Sequence, residues 1–141
     1  MAYLTGYYEN FVDEKGRAIL PKDLKEQMGS DLVLTRGLDD CVFVFTRDAW
    51  QELQTKLSAM PLSKGHGISL FFNTHKKDVN PDKQGRIQLP IKLREIATIE
   101  GKAVIIGNGN RVEIWNPDRF AAMEAAMDSE SIVAAMDELG F

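Results

Sequence analysis

An internal repeat constrains the fold of this chain most: two segments, about 69 residues apart, carry the same pattern. Residues 13–26 are DEKGRAILPKDLKE and residues 82–95 are DKQGRIQLPIKLRE, which match at an aspartate, a glycine, an arginine, two leucines, a proline and a glutamate. Each unit has only about 45 residues, near the lower limit for independent folding. The two units are therefore predicted to share one hydrophobic core.

Composition and repeat together predict the domain organisation. With 44% hydrophobic and 27% charged residues, the chain has the composition of a soluble globular protein. It has no apolar run of about 20 residues, and its first residues, MAYLTG, lack a basic segment followed by an apolar one, so we expect a cytosolic protein without a membrane partner. The expected parts are a first unit at residues 5–57, a linker with a short helix at 58–78, a second unit at 79–127 and an acidic C-terminal helix at 128–141.

The formal net charge of −4 does not decide whether the chain binds nucleic acid, because the charge is unevenly distributed. Residues 124–141 carry five acidic side chains and no lysine or arginine, which leaves 17 basic and 16 acidic side chains in the rest of the chain. The repeat body is thus close to neutral, and local clusters of cations must decide the question.

In the first unit, periodicity and turn residues predict two hairpins, each followed by a helix. The strands are expected at residues 7–12, 17–20, 31–35 and 41–45, with turns at 13–16 and 37–40. Pro21 starts a short helix, Gly29 ends it in the left-handed conformation, and Thr46 caps a longer helix. The buried helix positions are predicted to be Leu24, Met28, Trp50, Leu53 and Leu57.

The second unit is predicted to repeat this order. Its first strand is expected to end at Val79, and three more strands are expected at residues 87–89, 103–106 and 112–115. A turn is expected at 107–110 and a short helix from Pro90. Asn116 and Pro117 predict a helix start, and Phe120, Met123 and Met127 correspond to the buried stripe of the first unit. Between the units, Pro61, Gly65 and Gly67 predict a loop before a short apolar helix. Residues 128–141 predict a helix that packs on the body or on a neighbour.

The repeated Asp-x-x-Gly-Arg turn is the main candidate site. Turn formation requires the aspartate and the glycine, Asp13 and Gly16 in one copy and Asp82 and Gly85 in the other. Backbone geometry does not require an arginine after the glycine both times, so Arg17 and Arg86 are candidate contacts to phosphate or to a guanine edge. An equally good interpretation is that each aspartate orients its own arginine across the turn. The neighbouring cations are Lys15, Lys22, Lys83, Lys92 and Arg94.

These motifs, followed both times by a Leu-Pro helix start, resemble the AbrB/SpoVT-type β-barrel DNA-binding module, and two such units in one chain resemble the bacterial MraZ family. The resemblance extends over nearly the whole chain. It implies an α+β fold, in which two tandem AbrB/SpoVT-like β-hairpin units form one pseudo-two-fold barrel with short flanking helices. It also implies that protomers associate into a homo-oligomeric ring and that the arginine-bearing motif contacts double-stranded DNA.

The function implied by the resemblance is sequence-specific transcriptional regulation, with repression as the expected sign. The targets are repeats upstream of the protein's own operon in the division and cell-wall gene cluster, and the location is the cytoplasm and nucleoid. The expected DNA-binding residues are Arg17, Arg86, Lys15, Lys83, Lys22 and Lys92, and the expected turn-structuring residues are Asp13, Gly16, Asp82 and Gly85. No metal, cofactor or small-molecule substrate is expected.

Two other classes of function stay open at this point. A protein-interaction scaffold would use the acidic terminal helix to recruit a partner, with the arginines facing carboxylates. An enzyme would have to use Cys41, His66 or His75, but the two histidines lie nine residues apart without a neighbouring cysteine, and Cys41 has no adjacent histidine. A metal site or a nucleophile is therefore a weaker hypothesis than ordinary packing for all three residues.

Overall fold

The computed structural model describes residues 3–141, which form eight strands and six α-helices. The strands are β1 (Leu4–Phe11), β2 (Arg17–Ile19), β3 (Leu32–Arg36), β4 (Val42–Thr46), β5 (Lys77–Val79), β6 (Arg86–Gln88), β7 (Lys102–Gly109) and β8 (Arg111–Trp115). The helices are α1 (Lys22–Met28), α2 (Arg47–Ser58), α3 (Leu62–Asn73), α4 (Ile91–Ala97), α5 (Pro117–Ala125) and α6 (Ser129–Leu139). The predicted α+β class is confirmed.

The strands form a six-stranded sheet, in the order β1-β7-β8-β4-β3-β5, and a separate ribbon of β2 and β6. All pairs are antiparallel. The first strand of each unit pairs with the other unit, β1 with β7 and β5 with β3. The two units are therefore interleaved and cannot separate without breaking the sheet.

The strand register defines a pseudo-two-fold axis between the units. In the middle of the sheet Phe43 lies opposite Glu113, which is its counterpart in the repeat. In the ribbon Ala18 lies opposite its own counterpart, Ile87. A residue can pair with its counterpart only at a two-fold axis, so the axis passes through the β4–β8 pair and through the ribbon.

One buried cluster fills the space between the sheet and the ribbon. It contains equivalent residues of both units, which is the shared core that the small size of each unit predicts. The members related by the repeat include Ala18 and Ile87, Leu20 and Leu89, Leu24 and Leu93, Leu34 and Ile105, and Val44 and Ile114. A bridge between Val12 and Ala18 joins the ribbon to the sheet edge, and side-chain packing completes the barrel.

A second buried cluster covers the other face of the sheet. The aromatic residues Phe43, Phe45, Trp50 and Trp115 form its centre under α2, α3 and α5. Phe120 and Met123 pack against it, but the prediction for Met127 was wrong: this residue is 55% exposed because α5 ends at Ala125, before the stripe reaches it.

The two predicted side-chain helix caps are confirmed, whereas Pro21 and Pro90, expected to start the short helices, lie one residue before α1 and α4 with ψ 140° and 147°. Thr46 caps α2 by accepting a hydrogen bond from the amide of Ala49 at 3.1 Å. Asn116 caps α5 by accepting hydrogen bonds from the amides of Asp118 at 2.8 Å and Arg119 at 3.1 Å. Both side chains satisfy amides that the first helical turn leaves without partners.

Three local predictions need correction. The loop expected around Gly65 is part of α3, where Gly65 is buried and an added Cβ would lie 3.1 Å from Met60 Cβ. The turn expected at 107–110 is narrower, because β7 pairs with β1 as far as Gly109. Gly29 has φ +80° but ψ −155°, which is outside the left-handed helical region.

The C-terminal helix α6 has the predicted position, but it does not pack on the body of its own chain. All of its residues are exposed, including the apolar Ile132 at 42% and Met136 at 43%. Of the two predicted alternatives, packing on the body of the chain was wrong, and packing on a neighbour stays a prediction. No helix within residues 3–141 is long and apolar enough to cross a membrane.

Candidate nucleic-acid interface

The first Asp-x-x-Gly-Arg turn is held by the carboxylate of Asp13. Oδ1 accepts hydrogen bonds from the amides of Lys15 at 3.0 Å and Arg17 at 2.9 Å, and Oδ2 accepts one from Arg17 Nε at 2.7 Å. The amide of Gly16 donates to the carbonyl oxygen of Asp13 at 2.9 Å, and Gly16 has φ +80°, which favours glycine. One carboxylate thus fixes both the backbone of the turn and the direction of the arginine.

The second turn has the same geometry. Asp82 Oδ1 accepts hydrogen bonds from the amides of Gln84 and Arg86, both at 2.9 Å, and Oδ2 accepts one from Arg86 Nε at 2.6 Å. Gly85 has φ +81°. The repeat therefore encodes one side-chain arrangement twice, and in both copies the aspartate orients its own arginine.

The electrostatics of the two carboxylates follow from these donors. The backbone hydrogen bond from Arg17 is the main cause that holds the pKa of Asp13 below its usual range, and the guanidinium group adds to it. The pKa of Asp82 is lowered in the same way by the backbone and side chain of Arg86. Both carboxylates are ionised at neutral pH, so each turn carries an oriented ion pair.

Each arginine keeps part of its hydrogen-bonding capacity for another molecule. Nε is bound to the aspartate, whereas the two Nη atoms of Arg17 and of Arg86 have no hydrogen-bond partner in the described part of the chain. The arginine side chains are 29% and 30% exposed, respectively. A guanidinium group fixed through Nε can present its Nη atoms to an acceptor with little further loss of conformational entropy.

The two turns are locked to each other across the pseudo-two-fold axis. The carbonyl oxygen of Gly16 accepts a hydrogen bond from the amide of Leu89 at 3.0 Å, and that of Gly85 accepts one from the amide of Leu20 at 2.9 Å. These leucines immediately precede the prolines of the repeated motif. The Gly-Arg turn of one unit thus docks on the Leu-Pro segment of the other, which explains why both halves of the motif repeat together.

The β2–β6 ribbon places both arginines on one face. Ala18 and Ile87 point into the core, so their neighbours Arg17, Ile19, Arg86 and Gln88 lie on the outward face. Arg17 is opposite Gln88 and Ile19 is opposite Arg86. Arg86 is then the diagonal neighbour of Arg17, which in ideal ribbon geometry lies about 7–8 Å away.

The predicted lysines lie on the turns and short helices beside this face. Lys15 and Lys83 are exposed at the tips of the two turns, and Lys22 and Lys92 are exposed at the starts of α1 and α4. Lys22 is 86% exposed and has only a 4.0 Å contact with Glu26.

Two nearby residues, Gln88 and Lys25, were not predicted from the sequence, and a third, Arg94, was predicted only as a neighbouring cation. Arg94 Nε donates to the carbonyl oxygen of Leu89 at 2.9 Å, and its guanidinium group lies against Gly16. Gln88 Nε2 donates to the carbonyl oxygen of Lys15 at 2.7 Å, which ties the ribbon to the first turn. Lys25, the counterpart of Arg94 in the repeat, lies near Gly85. The sequence did contain a signal for Lys25 and Arg94, because both copies of the repeat have a cation at this position.

The other sequence candidates are accounted for by packing or exposure. Cys41 is 1% exposed, and burial raises the pKa of its thiol, which favours the unreactive protonated form. His66 is exposed and His75 is half-buried, and no group of three or more metal-ligating side chains occurs among residues 3–141. The one buried carboxylate among these residues, Glu113, accepts hydrogen bonds from Trp115, Asn108 and Arg111 and stabilises the fold.

Comparisons with known proteins agree with this architecture. The family model described as "MraZ protein, putative antitoxin-like" matches residues 3–67 and 71–139. A protein of Halothermothrix orenii named "Transcriptional regulator MraZ" is 39% identical over 139 residues, which cover 96% of this chain and 97% of that protein. Proteins of the same name from Ligilactobacillus salivarius (42% over 119 residues, 83% of each chain) and Caldanaerobacter subterraneus subsp. tengcongensis (43% over 127 residues, 89% of each chain) are also similar.

These relatives are named as regulators of transcription and not as enzymes. The match covers both repeats and nearly the whole length of the chain. The resemblance inferred from the paired turns is confirmed, and the chain belongs to the MraZ family.

Proposed function

We propose that this protein is a sequence-specific DNA-binding regulator of transcription that reads its target through the outward face of the β2–β6 ribbon. The observation that carries the proposal is the pair of aspartate-oriented arginines on that face, each with two Nη donors available for a ligand. The names of the relatives support regulation of transcription as the biological role.

The geometry fits duplex DNA. The major groove is about 12 Å wide and admits a two-stranded ribbon. An arginine that donates through both Nη atoms can pair with O6 and N7 of a guanine or with a phosphate group. Arg17 and Arg86 are the proposed base or phosphate contacts, with Lys15, Lys83, Lys22 and Lys92 as phosphate contacts. Asp13, Asp82, Gly16 and Gly85 would keep the turns in shape.

One protomer offers few cationic contacts, so useful affinity requires several protomers on one DNA. Linked contacts raise the effective concentration of each successive contact when their spacing matches the binding sites. We therefore propose a homo-oligomeric ring that binds short repeats upstream of its own operon in the division and cell-wall gene cluster. Repression is the proposed sign, and the cytoplasm and nucleoid are the proposed location.

The test is fluorescence anisotropy of the full-length protein with the DNA upstream of its own gene and with a scrambled duplex of equal length, across a salt series. We expect salt-sensitive binding with a preference for the upstream DNA, because counterions are released from contacted phosphates. Equal weak binding to both duplexes would overturn the proposed function. Sedimentation velocity on the same samples tests the ring, and a monomer at the binding concentration would contradict it.

A protein-interaction scaffold is the second candidate, and one observation favours it. Helix α6 exposes Ile132, Val133, Met136 and Leu139 among acidic side chains, without a covering element in the described chain. Deletion of residues 128–141 distinguishes the two functions. If the ribbon binds DNA, the deletion should leave the affinity of each protomer's arginine face for DNA unchanged. If the protein is a scaffold, the deletion should abolish binding of the protein partner, and neither the full-length nor the shortened protein should bind DNA.

A further inference from the structure

Two grooves flank the β2–β6 ribbon and are related by the pseudo-two-fold axis. The first groove lies between the first turn and α4, and the second lies between the second turn and α1. Their cavity volumes are similar, about 690 Å³ and about 770 Å³. The repeat has therefore produced two grooves of the same kind and size, and a difference in what they bind has to come from their side chains.

The charges of the two grooves are opposite. The charged residues lining the first groove are Asp13, Glu14, Glu95, Glu100 and Arg94. Those lining the second groove are Lys22, Lys25, Lys83 and Glu26. The first groove thus has four acids and one cation, whereas the second has three cations and one acid.

The reversal comes from identifiable positions of the repeat. The residue after the turn aspartate is Glu14 in the first copy and Lys83 in the second, and Lys22 replaces the apolar Ile91. The one cation of the first groove is also less available, because Arg94 lies over Gly16 and donates to a backbone carbonyl group.

The second groove continues the proposed DNA-reading face. Ile19, which lies on the outward face opposite Arg86, also lines this groove. A phosphate backbone that leaves the ribbon on the side of Arg86 would meet three lysines. On the side of Arg17 the groove presents Glu14, Glu95 and Glu100 beside the Arg17-paired Asp13, and bringing a phosphate close to these carboxylates is unfavourable. Lys15 and Lys92 belong to the same side but lie outside the groove.

We propose that each protomer holds DNA asymmetrically: the second groove takes the phosphodiester backbone through Lys22, Lys25 and Lys83, and the first groove does not. The two turns, although related by the repeat, then contribute unequally to DNA binding, and each protomer binds the duplex in one fixed orientation. This inference rests on the proposed DNA-binding function and assigns the dominant phosphate contact to one half of the repeat.

The experiment compares two double variants that remove the same number of charges from exposed positions. Lys22→Gln with Lys83→Gln removes two cations of the second groove. The matched control, Lys15→Gln with Lys92→Gln, removes two cations that line neither groove. Affinity for the upstream DNA and for a scrambled duplex is measured by anisotropy at several salt concentrations, with circular dichroism and sedimentation velocity to check the fold and the assembly.

In a plot of the logarithm of the binding constant against the logarithm of the salt concentration, we expect the steepness of the slope per protomer to fall by about 1.8 in the second-groove variant relative to the wild-type protein. Each lost phosphate contact removes about 0.9 from this slope. The control should lose less than half as much, because Lys15 and Lys92 line neither groove and are, under the asymmetric arrangement, the weaker of the proposed phosphate contacts. Equal losses, or a larger loss in the control, would overturn the asymmetry while leaving the proposed function intact. Wild-type protein without preference for the upstream DNA would overturn both.

Discussion

Replacement of the two turn glycines by alanine should destabilise the protein unequally, although the two turns have the same backbone geometry. Gly16 and Gly85 have φ +80° and +81°. Their surroundings differ: a Cβ on Gly16 would overlap the guanidinium group of Arg94, whereas a Cβ on Gly85 would have its nearest contact, Leu20 O, at 3.4 Å. The first replacement therefore displaces a side chain and the second does not.

The expected magnitudes follow from these contacts. A side chain in the left-handed region costs about 1–2 kcal/mol, and this cost applies to both variants. Gly16→Ala also forces Arg94 away and breaks its hydrogen bond to the carbonyl group of Leu89, a bond worth about 0.5–1.5 kcal/mol. The lower entropy of the unfolded alanine chain offsets part of the loss equally in the two variants. Gly16→Ala should thus be less stable than Gly85→Ala by about 1 kcal/mol.

Urea unfolding at one fixed protein concentration measures this difference, since association also contributes to the apparent stability. We expect both midpoints to fall and that of Gly16→Ala to fall further, with unchanged slopes. An Arg94→Ala background is the control, because it should bring the two glycine variants to the same loss. Equal losses in the wild-type background, or a larger loss for Gly85→Ala, would refute the proposed role of the Arg94 contact.

Three further predictions concern stability and reactivity. Asp13 and Asp82 have lowered native pKa values, so the unfolded chain binds more protons and the stabilisation from these carboxylates disappears as the pH falls below about 4. In the double variant Asp13→Asn with Asp82→Asn, the free energy of unfolding should depend less on pH in this range, and an unchanged dependence would contradict this role. Glu113→Leu leaves Trp115 Nε1 without an acceptor and the charge of Arg111 without its carboxylate, so the free energy of unfolding in urea should fall by about 3–5 kcal/mol, and by less for Glu113→Gln. A loss below about 1 kcal/mol would contradict the stabilising role of this hydrogen-bond network. Cys41 should react with a thiol reagent only after unfolding, and rapid labelling of native protein would contradict its burial.

Local signals in the sequence predicted much of the fold. The Asp-x-x-Gly-Arg turns, the cap at Thr46 and the Asn116-Pro117 helix start depend on neighbouring residues, and the structure has all of them. The shared core followed from the size of the repeat unit. These features are predictable because their cause lies within a few residues, or in the length of the chain itself.

Long-range pairing could not be predicted in the same way. The exchange of β1 and β5 between the units depends on strands far apart in sequence, and it also lengthens β7 to Gly109. Helix α3 continues through Gly65 because burial there outweighs the low helix propensity of glycine. The opposite charges of the two grooves could not be predicted from the sequence, because each groove combines residues of both units: α1 faces the second turn and α4 faces the first.

If the two oriented arginines bind the target DNA, the double variant Arg17→Ala with Arg86→Ala should lose that binding and keep its fold. Its affinity for the upstream DNA should fall by about 30-fold to about 20,000-fold, since each of the two bidentate contacts is worth about 1–3 kcal/mol. Circular dichroism and sedimentation should match the wild-type protein. The variant Arg17→Lys with Arg86→Lys keeps the charge but not the paired donors, and it should recover only the non-specific part of the binding. A native-like double alanine variant with undiminished affinity for the upstream DNA would contradict the assignment.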